Sequence, residues 1–383
     1  IVQLTDILLN FVHHPFTFYF YSKYPISRSS LRNISFKPSS LKEKFLNKNI
    51  LISGANGFTG TWLSTYLNML GGKVYGFGLK TCHTNEFYTA QNSRIFTEHK
   101  ILDIRDNQNL VDTYSKLNFD YIFHLAAQPL VLEAYDDPST TMHANVTGTI
   151  NLIDFIIKFQ PTSKNIFVTT DKVYFNSNKG KPFGETDTLW GNEPYASSKV
   201  AMEAVIEGFF QAYPSLKNRS VTVRAGNIFG GGDFSHNRLI VDYFRAKYGS
   251  KNLTIRKPQS IRPWQHVIEV IDAYCKLISN DACLGSAYNV GPNISNCISV
   301  LDLVTIFNGY DRNQVDIQIK EETKEYESGM LSLDNTKIIN EGIWHPKIDL
   351  DTAVRLTSHW YENYKKVDAL TIIEDQLSEV LSV

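Results

Sequence analysis

The strand-like run NILIS (Asn49 to Ser53) passes straight into SGANGFTG and then into an apolar-periodic stretch from Gly57 to Leu70. A strand that ends on glycines spaced G-x-x-G-x-x-G and continues at once as a helix leaves few folds open. Gly54 lets the backbone reverse tightly, Gly57 lets it approach a pyrophosphate, and Gly60 lets the helix lie against the strand. The helix N-terminus then presents its positive end to the turn. Beyond it, short β-branched runs alternate with helical patterns, as a parallel sheet with crossover helices requires. KVYGFG reads as a second strand, Asp120 to Ala127 and Lys164 to Thr170 as later ones, and Pro138 to Phe159 as a helix between those two. The expectation is a doubly wound α/β fold that binds a dinucleotide.

A chain of 383 residues, 43% hydrophobic with a net charge of -1, buries a large core and carries no electrostatic footprint for nucleic acid or an anionic membrane. A small-molecule partner is expected. The cysteines Cys82, Cys275, Cys283 and Cys297 form no C-x-x-C pair and no metal-ligand spacing with histidine, so neither a disulfide framework nor a metal site is expected, and the cytoplasm is the default location. Residues 1–46 read as an N-terminal extension of unknown role; their apolar runs are interrupted by His13, His14, Pro15 and Lys23 and do not read as a spanning helix. After about Gly230 the pattern loosens, predicting a smaller C-terminal substrate-binding lobe over 230–366 packed on a nucleotide-binding domain over 47–229, with a tail at 367–383.

Two further stretches carry chemistry. In EPYASSK, Tyr195 and Lys199 are four apart near the start of a helix, so one face presents both, and an ammonium near the phenol would draw its pKa down from about 10. A tyrosinate there can take a proton from a sugar hydroxyl. In VTTDKVYF, a strand end sets Asp171 beside Lys172, a pair that adds nothing to a buried core.

The glycine turn and Y-x-x-x-K together resemble the extended short-chain dehydrogenase/reductase superfamily, with its Rossmann-like sheet. Within it, FHLAAQPLV, TTDKVY, EPYASSK, VRAGNIFGGGDF and IRPWQHVIE resemble, in this order, the CDP-glucose 4,6-dehydratase branch of the nucleotide-sugar dehydratases. That resemblance covers about Asn47 to Tyr364. It implies NAD as cofactor, bound by Gly54, Asn56, Gly57, Phe58, Gly60, Asp103, Ile104, Ala126, Ala127 and Gln128 together with Tyr195 and Lys199. It implies a nucleotide sugar, CDP-glucose, held by Asn145, Asn227, Arg238, Leu239 and Arg262, with arginine forks suited to phosphate oxygens. Trp264 and His266 are expected to pack around that arginine rather than react. Thr170, Asp171 and Lys172 take the places of the Thr-Asp-Glu run of related dehydratases: a sugar contact, a general acid and a base near C5. The product is then a 4-keto-6-deoxy sugar nucleotide for deoxysugar biosynthesis, and the assembly a homodimer or homotetramer.

Departures from that pattern are also legible. Leu132, followed by Glu133, stands where the family commonly has arginine. Gly78, Leu79 and Lys80 stand where an acidic residue would bind the ribose, so Lys80 leaves NADP open as well. A 4-epimerase shares the glycine loop and Tyr195/Lys199 but needs no acid for a leaving 6-hydroxyl. A dehydratase of another NDP-hexose and a non-catalytic nucleotide-sugar binder stay open beside it.

Overall fold

The computed structural model describes residues 40–80, 94–177, 180–249, 252–310, 314–320 and 329–383. Most of the N-terminal extension thus lies outside the described residues, and Leu41–Val383 forms one compact unit. Seven parallel strands make its centre: β1 (Asn49–Ser53), β2 (Lys73–Gly78), β3 (Glu98–Ile101), β4 (Tyr121–His124), β5 (Lys164–Val168), β6 (Ser220–Ala225) and β7 (Ala287–Val290). Their order is β3-β2-β1-β4-β5-β6-β7. The chain starts mid-sheet, winds out to β3 and returns to β4, so the strand order reverses between β1 and β4. Ligands of open α/β sheets bind at that crevice, outside the carboxyl ends of the strands.

Both faces of the sheet are covered, which is why its strands read as near-continuous apolar runs. Ile50, Ile52 and Phe123 point to a core completed by Trp62, Leu63 and Leu67 of the Phe58–Met69 helix and by the Val267–Ser279 helix. Leu51 and Ile122 point the other way, into a core built with Leu152, Phe155 and Ile156 of the Gly148–Phe159 helix and with Met202, Ile206 and Phe210 of the Pro194–Ala212 helix.

The first two expected strands hold their full length, whereas β4 and β5 stop at His124 and Val168, short of Ala127 and Thr170. The chain beyond each turns out over the crevice. The expected helix at Pro138 to Phe159 is continuous but not uniform. A π-helical segment, His143–Thr147, joins α-helices Pro138–Met142 and Gly148–Phe159. Nothing in the periodicity signals it. β7, from the stretch expected to form a separate lobe, pairs with β6 instead. Residues 369–381 are a helix, capped by Asp368 and burying Leu370, Ile372, Ile373 and Leu377.

One buried ion pair ties these layers. Arg224 on β6 donates from Nε (2.8 Å) and Nη2 (2.6 Å) to the two carboxylate oxygens of Glu203, and both side chains are 6% exposed. Removing one partner leaves a charge stranded in low dielectric. Arg224→Leu is expected to lower unfolding free energy by about 3–5 kcal/mol, read as a fall in the urea midpoint at an unchanged slope.

Candidate active site

A cavity of about 960 Å³ opens at the carboxyl ends of the strands. On one side it is walled by the glycine turn. Gly54 has φ +73°, and a Cβ there would lie 2.8 Å from the Ala126 nitrogen; one at Gly60 would lie 2.1 Å from the Gly54 carbonyl oxygen. Gly57 precedes the helix without a side-chain cap, and the first turn, Phe58 to Gly60, lines the cavity. Ser53 Oγ accepts from the Leu125 and Ala126 nitrogens at 3.2 Å each and lies 2.8 Å from His124 Nδ1, tying β1 to β4 at the crevice.

The residues expected around a dinucleotide line this cavity: Gly54, Asn56, Gly57, Phe58, Gly60, Asp103, Ile104, Ala126, Ala127 and Gln128. Asn56 donates to the Leu79 carbonyl at 2.7 Å and fills the space beside Gly78, where a Cβ would meet its Oδ1 at 2.0 Å. Asp103 binds Arg105 through Nε (2.9 and 3.0 Å) and Nη2 (2.5 Å), and this hydrogen bonding holds its carboxyl below the ordinary range. It does not cap the following helix; Asp106 does, accepting from the Asn109 nitrogen.

Asn145 is corrected by the structure. Expected among the substrate contacts, it is fully buried in the π-helical segment, outside the cavity wall. Its Oδ1 accepts from the Gln128 nitrogen at 2.8 Å, and its Nδ2 donates to Gln128 O at 3.1 Å and Ser198 Oγ at 2.8 Å. Ser198 in turn donates to the Tyr195 carbonyl. Asn145 therefore ties the cofactor-side turn to the helix that carries Tyr195.

Tyr195 and Lys199 share one face of the Pro194–Ala212 helix, as their spacing predicted, and both line the cavity while being more than 90% buried. Glu193 caps this helix, accepting from the Tyr195 (2.7 Å) and Ala196 (2.9 Å) nitrogens. Glutamate immediately before Pro-Tyr was the sequence signal for it. The expected lowering of the phenol is not found. Burial pushes Tyr195 up to about 12, against a Thr170 hydrogen bond and the Arg238 charge that draw it down. The Lys199 ammonium, itself lowered to about 8 by burial, donates to Val168 O at 3.5 Å and contacts Met202 Sδ at 3.6 Å.

The Thr170-Asp171-Lys172 run leaves β5 as a single 3-10 turn, Asp171–Val173. Asp171 is 2% exposed, and its Oδ1 accepts from Thr170 Oγ1 at 3.1 Å. Its Oδ2 is buried without a hydrogen-bond partner among the described residues and sits against Gly226, where a Cβ would lie 1.9 Å away. Burial raises this carboxyl to about 6, opposed by the Lys172 charge, the Thr170 hydrogen bond and the Arg262 charge. Lys172 is half-buried on the same wall.

Toward the other end the cavity is basic. Asn227, Arg238, Leu239 and Arg262 line it, and so do Arg256 and Lys257, which sequence reasoning left unassigned. Asn227 and Asn237 both hold positive φ, +32° and +59°, which asparagine tolerates better than most residues. Leu132 and Glu133 also face this cavity. Trp264 donates to Ile298 O, and His266, kept neutral by burial at about 3, caps the Val267–Ser279 helix. Among the described residues no helix is long and apolar enough to cross a membrane.

Residues 51–357 match the family model described as GDP-mannose 4,6 dehydratase. The chain belongs to that family. It is 29% identical over 355 residues to the CDP-glucose 4,6-dehydratase of Salmonella typhimurium, covering 89% of this chain and 98% of that one. It is 24% identical to the CDP-paratose 2-epimerase of Salmonella typhi, covering 81% and 98%. The solved dTDP-glucose 4,6-dehydratase of Bacillus anthracis, in complex with NAD, has the same fold, with a TM-score of 0.69 at 22% identity over 84% of this chain and 99% of that one. The protein is thus an enzyme of the nucleotide-sugar dehydratase and epimerase group, with a Rossmann-like sheet.

Asp171 gives this GDP-mannose 4,6 dehydratase family member a pH-dependent liability. Its folded pKa, about 6, lies above the ordinary 3.8, so the folded state holds a proton between roughly pH 4 and 6 that the unfolded chain releases. Stability is therefore highest on the acid side of this group and is lost as pH rises through 6. Asp171→Asn is expected to unfold at higher urea than the parent at pH 8, by about 3 kcal/mol, with the gap closing near pH 4.

Proposed function

We propose that this chain catalyses the NAD-dependent dehydration of CDP-glucose to CDP-4-keto-6-deoxyglucose. The observation that carries it is Asp171: a carboxyl buried to a pKa of about 6, with one oxygen unpartnered, in the same cavity as Tyr195 and Lys199. A 4-epimerase has no use for such an acid. NAD is supported by fit, since Gly54, Gly57 and Gly60 line the cavity in a turn so tight that a Cβ at Gly54 or Gly60 would strike backbone, and by the NAD named with structural neighbours. CDP-glucose as the sugar nucleotide is supported by the 29% relative and by the TTDKVY, RAGNIFGGGDF and IRPWQHV segments.

Bound NAD supplies a hydride acceptor for C4 and then a hydride donor for C6, and its charged ring favours the phenolate. Tyr195 takes the 4-hydroxyl proton, aided by the Thr170 hydrogen bond and the Arg238 charge. With a ketone at C4, the C5 proton becomes acidic, and Lys172 is the group assigned to remove it. Asp171, protonated, gives its proton to the departing 6-hydroxyl, which leaves as water. The proton on Lys172 returns to C5 as C6 is reduced, and the proton gained by Tyr195 balances the one Asp171 lost. Asn227, Arg238 and Arg262, with Arg256 and Lys257, hold the pyrophosphate and nucleoside end, and Leu239 packs beside them.

Turnover requires Asp171 protonated, so kcat/KM is expected to fall as pH rises through about 6, where that carboxyl ionises in the free enzyme. With CDP-glucose carrying deuterium at C4, the expected product has lost water and retains the label at C6 by mass spectrometry. A mass-neutral product inverted at C4 would instead establish an epimerase, and binding without change a sensor. Asp171→Asn is expected to lower water loss by about 100-fold or more while reduced cofactor accumulates, seen by its absorbance.

A further inference from the structure

The buried pair described with the fold ends beside the reacting groups. Lys199 and Glu203 are one turn apart on the Pro194–Ala212 helix, and they grip consecutive residues of the chain leaving β5. Lys199 donates to the Val168 carbonyl, and Glu203 Oε1 accepts from Thr169 Oγ1 at 2.6 Å. Thr170 and Asp171 follow immediately. The carboxylate is fixed from behind by the Arg224 fork, and Arg224 Nη1 reaches the Tyr174 hydroxyl and Glu185 O at 2.9 Å each. Tyr174 donates onward to Asn289 Oδ1 on β7. Arg224 also lies two residues before Gly226, the glycine pressed against Asp171 Oδ2.

We propose that Glu203, locked by Arg224, is a positioning residue that holds the Tyr195/Lys199 helix in register with the Thr170-Asp171 turn. It touches neither substrate nor cofactor in this scheme, and it rests on the proposed roles of Tyr195, Lys199 and Asp171. Its second effect is electrostatic. Glu203 is the charge that favours protonated Lys199 against burial. Tyr195 on its own helix and Asp171 and Lys172 past β5 line the same cavity as Lys199, Arg224 on β6 reaches Glu203, and His124 on β4 is kept neutral by burial and the Lys199 charge.

Two variants separate these effects. Glu203→Gln removes the charge, and Thr169→Val removes the tether to the strand while keeping both charges. The first readout needs no turnover: the pH dependence of Lys199 acetylation by acetic anhydride in the free protein, followed by peptide mass spectrometry. Its midpoint is expected to fall by about half a pH unit or more in Glu203→Gln and to stay in place in Thr169→Val. The second is the dehydration of CDP-glucose, where both variants are expected to lose about 10–100-fold in kcat with KM within about twofold. An unmoved acetylation midpoint in folded Glu203→Gln, or parental kcat in Thr169→Val, overturns the proposal; the latter variant carries the test if Glu203→Gln does not fold. A parental enzyme that leaves CDP-glucose unchanged would instead sink the proposed reaction, and the acetylation midpoints would still decide the electrostatic role of Glu203.

Discussion

The site depends on one close approach: the first turn of the Phe58–Met69 helix lies so near the Gly54 carbonyl that only a hydrogen fits at Gly60. That contact brings the helix N-terminus onto the crevice where β1 and β4 part, and the crevice exists because strand order reverses there. Gly54 itself sits against the chain beyond β4, so the same turn closes from both sides. A phosphate arriving at this point meets the positive end of a helix before any side chain is involved.

Across the cavity the chemistry is set by burial more than by pairing. Asp171 is raised, Lys199 is lowered and Tyr195 is raised, each with desolvation as the leading cause. Such groups are costly in the folded chain, and the Glu203–Arg224 pair with its Thr169 tether keeps them from relaxing apart. Stability and chemistry oppose one another most directly at Asp171, where the unpartnered oxygen that destabilises the carboxylate is the feature that keeps a proton available.

Much of this was legible in the residues. The G-x-x-G-x-x-G turn, the two full-length strands and the Tyr195/Lys199 face follow from local periodicity and spacing, and so did the sheet they belong to. What was not legible depends on long-range packing. The fall of Asn145 into a π-helical segment, away from the cavity, reflects its three hydrogen bonds to Gln128 and Ser198, residues 17 and 53 positions away. The rise of the Tyr195 phenol rather than its fall reflects how deeply the helix start is covered, which Y-x-x-x-K alone does not encode. The pairing of Glu203 with Arg224 joins a helix to a strand 21 residues on, and nothing local in either stretch encodes it.

The π-helical segment has a consequence for how this enzyme can change. One residue more than a regular helix needs is accommodated between His143 and Thr147, where the Gly148 nitrogen bonds back to the His143 carbonyl. Deleting a residue there would restore an ordinary helix and improve its hydrogen bonding. The flanking helices would keep their phase, but the wide turn that sets the Asn145 carboxamide against Gln128 and Ser198 would be gone. At this position the irregular turn, with its poorer helical hydrogen bonding, is what holds Asn145 between Gln128 and Ser198.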